Sequence, residues 1–127
     1  MPHVAASPAA PNAQSAVLTK AVLRAADHLD VKGRRLATIL GVSESSLSRM
    51  RRGALTLDAG SKPFELGVLF VRLFRSLDAI VGGDDAVARA WLVNANNALA
   101  GKPLEKMETV VGLLDVLAYL DARRALV

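Results

Sequence analysis

The chain contains no cysteine and only two histidines among its 127 residues. The absence of cysteine excludes disulfide frameworks, thiolate zinc sites and cysteine nucleophiles together. His3 and His28 lie far apart in the sequence, and His3 falls in an N-terminal stretch with the composition of an unstructured segment. The spacing of the carboxylates completes no metal site around either histidine. The sequence therefore predicts a protein that uses neither a metal ion nor a cofactor.

The chain also lacks a long uncharged hydrophobic run, although its mean hydropathy is positive. The most apolar stretch, Leu66 to Phe74, contains Arg72 and is bounded by Glu65 and Arg75, whereas a membrane-spanning helix needs about 20 mostly uncharged residues. We expect a buried helix here and no association with a membrane. The N-terminus has neither a basic start nor an apolar run, so it does not resemble a signal peptide. We expect the protein in the cytoplasm.

What the sequence does have is an uneven distribution of charge. Residues 1–62 carry nine lysines and arginines against four acidic residues, whereas residues 63–127 carry seven against eight. Within the 21 residues from 32 to 52, a single acidic residue, Glu44, stands among six basic ones: Lys32, Arg34, Arg35, Arg49, Arg51 and Arg52. A cationic cluster of this kind indicates that the N-terminal half binds a polyanion.

Beyond the first 14 residues, apolar positions recur every three or four residues, and no segment alternates as a strand would. The spacing predicts six helices, at about residues 15–29, 32–40, 44–52, 63–81, 85–94 and 103–124, with a candidate bend at Gly112 in the last. We therefore expect an all-α fold in three parts. These are a disordered tail (1–14), a helix-turn-helix DNA-binding domain (15–60) and a helical module for dimerisation and partner binding (61–127).

Residues 33–52 have the spacing of a helix-turn-helix, in which two short helices pack at a steep angle. Ala37 is small where the helices approach each other, Gly41 occupies a turn that needs a left-handed backbone, and Leu47 fills the shared core. Ser43 is placed as the N-cap of the second helix. The remaining inward positions carry no charge and are occupied by Leu36, Leu40, Val42 and Met50.

The second helix of this motif is the one that enters the major groove of DNA, and its outer face is polar and cationic. Arg49 and Arg52 are candidates for guanine edges or phosphates, because a guanidinium is planar and always charged. Arg34 and Arg35 are placed for contacts with the DNA backbone. Charge alone would equally fit a solvated helix face; the Ala-Gly-Leu spacing favours DNA binding. The predicted DNA-binding residues are Ser43, Glu44, Ser45, Ser46, Arg49, Arg52, Arg34 and Arg35.

The second half offers more apolar surface than one core needs. The helix predicted over residues 63–81 carries two apolar stripes, although one broad stripe is enough for packing on one core. Such a helix either is central in its own domain or faces a second copy, and helix-turn-helix proteins commonly pair to read two half-sites. We expect a homodimer, with an interface formed by Leu66, Phe70, Leu73 and Leu77. The last helix is apolar over a similarly wide sector, which indicates burial by its own core and by a partner; an ordinary core helix would also fit.

No group of residues in the second half suggests catalysis. The pair Gly82-Gly83 lacks the lysine and the hydroxyl of a phosphate-binding loop, and the carboxylates of Asp84 and Asp85 fit helix caps. Nucleophile, base and oxyanion donors are not brought together by any spacing in the chain. We therefore expect a binding protein and not an enzyme.

The stretch WLVNANNALAGKPLEKMETVVGLLDVLAYL, residues 91–120, resembles the C-terminal toxin-binding domain of Xre/MbcA/ParS-type antitoxins. The pattern combines a Trp-Leu pair, an Asn, a Leu, Gly-x-Pro, and a helix with a Thr and a Gly before aliphatic positions. These elements fall on Trp91, Leu92, Asn96 or Asn97, Leu99, Gly101, Pro103, Leu104, Thr109, Gly112 and Val116. A preceding Xre-like helix-turn-helix extends the likeness over residues 30–124. Ala95 stands where the family often has proline, and the end of the chain lacks the glycine expected there.

The resemblance implies an antitoxin of a type II toxin-antitoxin system. Family members pair with RES-domain toxins, which resemble ADP-ribosyltransferases and consume NAD. The antitoxin's C-terminal region covers the toxin's active-site cleft, and its DNA-binding half represses the operon. The alternative is a stand-alone dimeric helix-turn-helix repressor whose C-terminal half only dimerises or senses a ligand. The residues expected at the toxin are Trp91, Asn97, Leu99, Tyr119, Arg123, Arg124, Leu126 and Val127.

Overall fold

The computed structural model describes residues 13–126, and the regular structure of these residues is helical. No β-strand occurs among them, so the predicted all-α class is confirmed. Of the predicted tail, Ala13 and Gln14 belong to the first helix, and the rest lies outside the described residues. The helices are α1 (Ala13–Leu29), α2 (Gly33–Leu40), α3 (Glu44–Arg51), α4 (Lys62–Ile80), α5 (Asp85–Val93), α6 (Pro103–Lys106) and α7 (Val110–Arg124), with a 3-10 turn over Asn97–Leu99.

Short polar side chains fix where four of the helices begin. The side-chain oxygens of Ser43, Ser61, Asp84 and Thr109 accept hydrogen bonds from first-turn backbone N–H groups of α3, α4, α5 and α7. Each such cap satisfies a donor that the helix leaves unpaired and contributes about 1 kcal/mol. The caps expected at Ser43 and at the start of α5 are confirmed. Those at Ser61 and Thr109 are additional findings.

Helix α4 is the central helix of the fold. It packs against α1, α2, α5 and α7, and its side chains join one hydrophobic core that extends from Val22 in α1 to Leu120 in α7. A helix that is covered from several directions needs apolar residues on more than one stripe. The two stripes of α4 therefore reflect its central position in the single chain. None of the helices within residues 13–126 has the length and apolar character to cross a membrane.

The four residues assigned to a dimer interface are all buried in the single chain. Leu66, Phe70, Leu73 and Leu77 are 7, 0, 0 and 1 % exposed. A side chain that its own chain already covers offers no surface to a second copy, so this assignment is wrong. The homodimer itself stays a prediction, and its interface would have to use other residues. The division of the chain near residue 60 also stays a prediction.

The segment expected as one helix from Pro103 to Arg124 is divided into α6 and α7. The Thr109 hydroxyl accepts a hydrogen bond from the Gly112 backbone N–H at 3.0 Å and thereby caps α7 as a separate helix. A Cβ on Gly112 would clash with the carbonyl oxygen of Lys106, so the chain can make this tight turn because position 112 is glycine. The expected bend at Gly112 is thus a complete break that lies a few residues earlier.

Candidate DNA interface and partner-binding module

The turn between α2 and α3 has the geometry that its sequence predicts. Gly41 ends α2 with φ of 72°, in the left-handed region that glycine adopts without strain. A Cβ at this position would also lie 3.3 Å from Cδ1 of Leu66 in α4. Ala37 and Leu47 are buried on the two sides of the turn. The steric predictions for these three motif positions, 37, 41 and 47, are confirmed.

The exposed face of α3 is polar, but its members differ slightly from the predicted set. Glu44, Ser45 and Arg49 are exposed, and so is Arg52 directly after the helix. Ser46 is half-buried, and Ser43 accepts from its backbone N–H and donates to its hydroxyl, both at 3.0 Å. The exposed serine next to Arg49 is Ser48, which the sequence analysis did not select. Ser48 follows Glu44 by four residues, so the helical period alone places it on this face.

The arginines of α2 and α3 fall into two groups. Arg34 and Arg49 form no ion pair or side-chain hydrogen bond with any residue from 13 to 126. Arg52 donates to the hydroxyl of Ser48 at 2.8 Å, which leaves its charge uncompensated. Arg35, in contrast, pairs with Glu108 and Arg51 pairs with Asp27. The surface of α3 therefore presents uncompensated positive charge, as contact with a polyanion requires.

The last turn of α1 connects α3 to the C-terminal half. Arg51 of α3 donates to the Asp27 carboxylate at 2.9 Å. Arg89 of α5 donates to the backbone carbonyls of Asp27 and His28 at 3.0 and 2.8 Å, at the helix end where carbonyls lack the full set of helical partners. The His28 imidazole donates from Nδ1 to the Asp85 carboxylate at 2.8 Å. These directional contacts fix α3 and α5 relative to the same helix end.

Three of the residues predicted to contact a toxin come together at one cleft, which we call the aromatic cleft. The rings of Trp91 and Tyr119 stack with centroids 6.1 Å apart, and the Arg123 guanidinium lies 5.8 Å from the Tyr119 ring centre. The cleft has a volume of about 270 Å³ between the end of α4, α5 and α7, and its lining is otherwise aliphatic. Tryptophan, tyrosine and arginine are the residues that most often dominate protein interfaces.

The other predicted contact residues are placed differently. Asn97 and Leu126 are exposed, Arg124 reaches Ser76 at 3.5 Å, and Val127 lies outside the described residues. Leu99 is only 7 % exposed and belongs to the core. Its role is to anchor the 3-10 turn, so its assignment as a toxin contact is wrong.

One face of α7 is apolar and uncovered; its members, Val111, Leu114, Ala118 and Ala122, form what we call the outer face of α7. Val111 is 70 % exposed and Leu114 is 44 % exposed. Tyr119 and Arg123 each follow a member of this face by one residue, which places them about 100° further around the helix, and the exposed Asp115 lies between the outer face and these two residues. The sequence predicts that the last helix is covered on two sides, and the single chain covers one of them.

The fold and these surfaces define a helix-turn-helix protein with a helical C-terminal module. The model of the antitoxin Xre-like helix-turn-helix domain matches residues 8–72. The model of the antitoxin Xre/MbcA/ParS C-terminal toxin-binding domain matches residues 76–125. The chain therefore belongs to the Xre/MbcA/ParS-type antitoxins, with one domain for DNA and one for a toxin. No curated protein sequence matches it significantly.

Proposed function

We propose that this antitoxin neutralises a RES-domain, NAD-consuming toxin by covering the toxin's active-site cleft with its C-terminal module. We further propose that it represses its own operon in the cytoplasm by binding operator DNA as a homodimer. It acts by binding and not by catalysis. We choose a RES-domain toxin because the chain resembles a family whose members pair with such toxins.

The observation that carries the toxin half of the proposal is the outer face of α7. This face lies within the stretch that matches the toxin-binding domain, and large apolar side chains on it are left in water. Exposed apolar surface beside an aromatic and arginine cluster is typical of a protein interface. We infer that the toxin covers the outer face together with the aromatic cleft.

For the DNA half, support comes from α3, on whose exposed face Arg49 has no partner and Arg52 no counter-charge within residues 13–126. Groove-binding helices contact bases and phosphates with side chains of this kind. Arg34, at the start of α2, is likewise a cation without a partner among these residues, and we propose that it contacts the DNA backbone. This face and the outer face of α7 belong to different helices, so we propose that one chain serves both partners.

The test is to co-express the antitoxin with the protein encoded beside it, which we expect to be a RES-domain toxin, and to measure retention of that protein on tagged antitoxin. Val111→Asp should weaken the complex about tenfold or more, because a carboxylate buried in an apolar contact loses its hydration. Val17→Asp is the matched control, since Val17 of α1 is 68 % exposed and Val111 is 70 % exposed. Neither change should alter the free energy of unfolding by more than about 0.5 kcal/mol.

Equal retention of the toxin by the wild type and by Val111→Asp would rule out the outer face as the toxin contact. If the wild type bound its promoter but retained no RES-domain protein, action as a stand-alone repressor would replace the proposed neutralisation of a RES-domain toxin.

A further inference from the structure

One acidic side chain of the toxin-binding domain contacts the DNA-binding half of the chain. Oε2 of Glu108, in the turn between α6 and α7, lies 3.3 Å from Nε of Arg35 in α2. The two side chains frame a cleft of about 360 Å³, and its other lining residues are Arg34 and Thr38. Both partners are only partly exposed, at 40 % for Arg35 and 35 % for Glu108.

The turn that carries Glu108 is held in place from both sides. Before it, Leu104 and Met107 are buried in the core. After it, Thr109 caps α7 and Gly112 permits the close approach to Lys106. Because the turn fixes the backbone of Glu108, the pair forms without ordering a flexible loop, although both side chains still lose rotamer freedom as in other surface ion pairs.

Arg35 is also one of the residues expected to contact the DNA backbone. A carboxylate and a phosphate offer a guanidinium the same acceptor chemistry and repel each other, so an arginine that is paired with Glu108 binds a phosphate less favourably. Its neighbour Arg34 has no counter-charge among residues 13–126 and is available without any exchange. Of the two arginines expected at the DNA backbone, Arg34 is therefore free within the described residues and Arg35 is paired with Glu108.

We propose that Glu108 is an internal competitor of DNA phosphate for Arg35, and that the toxin-binding domain thereby lowers the affinity of the free antitoxin for DNA. This inference rests on the proposed binding of DNA by α2 and α3. A partner protein that supplies a cation to Glu108 would release Arg35 and strengthen DNA binding. The pair thus regulates the DNA site from the toxin-binding domain.

The test measures binding of the full-length protein to two labelled duplexes, its own promoter and a scrambled sequence, by fluorescence anisotropy at several salt concentrations. Glu108→Gln should raise the affinity for both duplexes by about two- to fivefold, the range expected for one surface ion pair. The salt dependence should steepen by about one released counterion, because one more phosphate is contacted. Thermal unfolding of each variant shows that the fold is retained.

Glu105→Gln is the matched control, since Glu105 is an exposed carboxylate of the same domain that forms no ion pair within residues 13–126. It reports the general effect of removing one negative charge. In an Arg35→Ala background, Glu108→Gln should give no gain beyond this control, because the arginine that it releases is gone.

A gain from Glu108→Gln that equals the gain from Glu105→Gln, or that persists in the Arg35→Ala background, overturns the competition while leaving DNA binding intact. If neither the wild type nor Glu108→Gln binds either duplex, both this inference and the proposed DNA-binding function are overturned.

Discussion

Arg49 differs from the neighbouring Arg51 in the interaction partners of its guanidinium group. Arg51 pairs with Asp27, whereas Arg49 has no ion pair or hydrogen-bonding side chain as a partner within residues 13–126. Both lie in the last turn of an eight-residue helix, so position along the helix does not explain the difference. Position around the helix does, because Arg49 shares the exposed face with Ser45 and Arg51 turns towards α1.

Replacement of Arg49 by alanine tests whether this arginine contacts DNA. Arg49→Ala should weaken binding to the promoter duplex by about 1–3 kcal/mol if Arg49 reads a base edge, and should relax specificity at one position. Binding is measured by titration of the promoter duplex and of a scrambled duplex. Arg75→Ala on α4 removes the same charge from an exposed position outside the helix-turn-helix and serves as the control.

Equal losses on the promoter and on the scrambled duplex would show that Arg49 contacts phosphate and not a base. An effect no larger than that of Arg75→Ala would contradict any contact between Arg49 and DNA.

At the scale of the element, the turn between α6 and α7 depends on one glycine. Gly112→Ala should destabilise the protein by about 1–3 kcal/mol, because the added methyl group meets the Lys106 carbonyl and forces the two helices apart. Gly101→Ala is the control, since a Cβ there meets nothing within 4 Å. Chemical denaturation of both variants measures the difference. Equal stability of the two would show that the turn adapts and that the close approach is not required.

The same turn shows how much of the fold can be predicted from the sequence. Apolar spacing locates the helices because burial of one face imposes the period of 3.6 residues, and the caps at Ser43 and Asp84 follow from side-chain chemistry. Residues 107–109 keep the apolar period of the helices around them, so the break there has no signal in periodicity. The break is instead marked by the Thr109 cap and by the close approach of Gly112 to the Lys106 carbonyl, six residues earlier in the chain.

In the candidate sites, too, positions fixed within one helix can be predicted from the sequence, whereas positions fixed by contacts between elements cannot. The outward face of α3 was predicted closely because geometry inside one helix fixes it, with Ser48 replacing Ser46. The buried positions of Leu99 and of the apolar residues on α4 depend on which elements cover them. The pairing of Arg35 with Glu108 joins residues 73 positions apart and has no local signal.

At the scale of the whole molecule, one hydrophobic core runs through the segments that match the two family domains. Helix α4 contributes to this core from the middle of the chain. The last turn of α1 accepts hydrogen bonds from both α3 and α5. Because the two halves share packing and polar contacts, a change at one can alter the energy of the other. The exchange proposed for Arg35 is one such route.

The function proposed for the C-terminal module is to silence an NAD-consuming toxin. It is measured as the rate of NAD consumption by the purified protein encoded beside this chain, the proposed RES-domain toxin, as the antitoxin is added. We expect NAD consumption to fall to the background rate once the antitoxin saturates the toxin. Undiminished NAD consumption in the presence of excess folded antitoxin would contradict it.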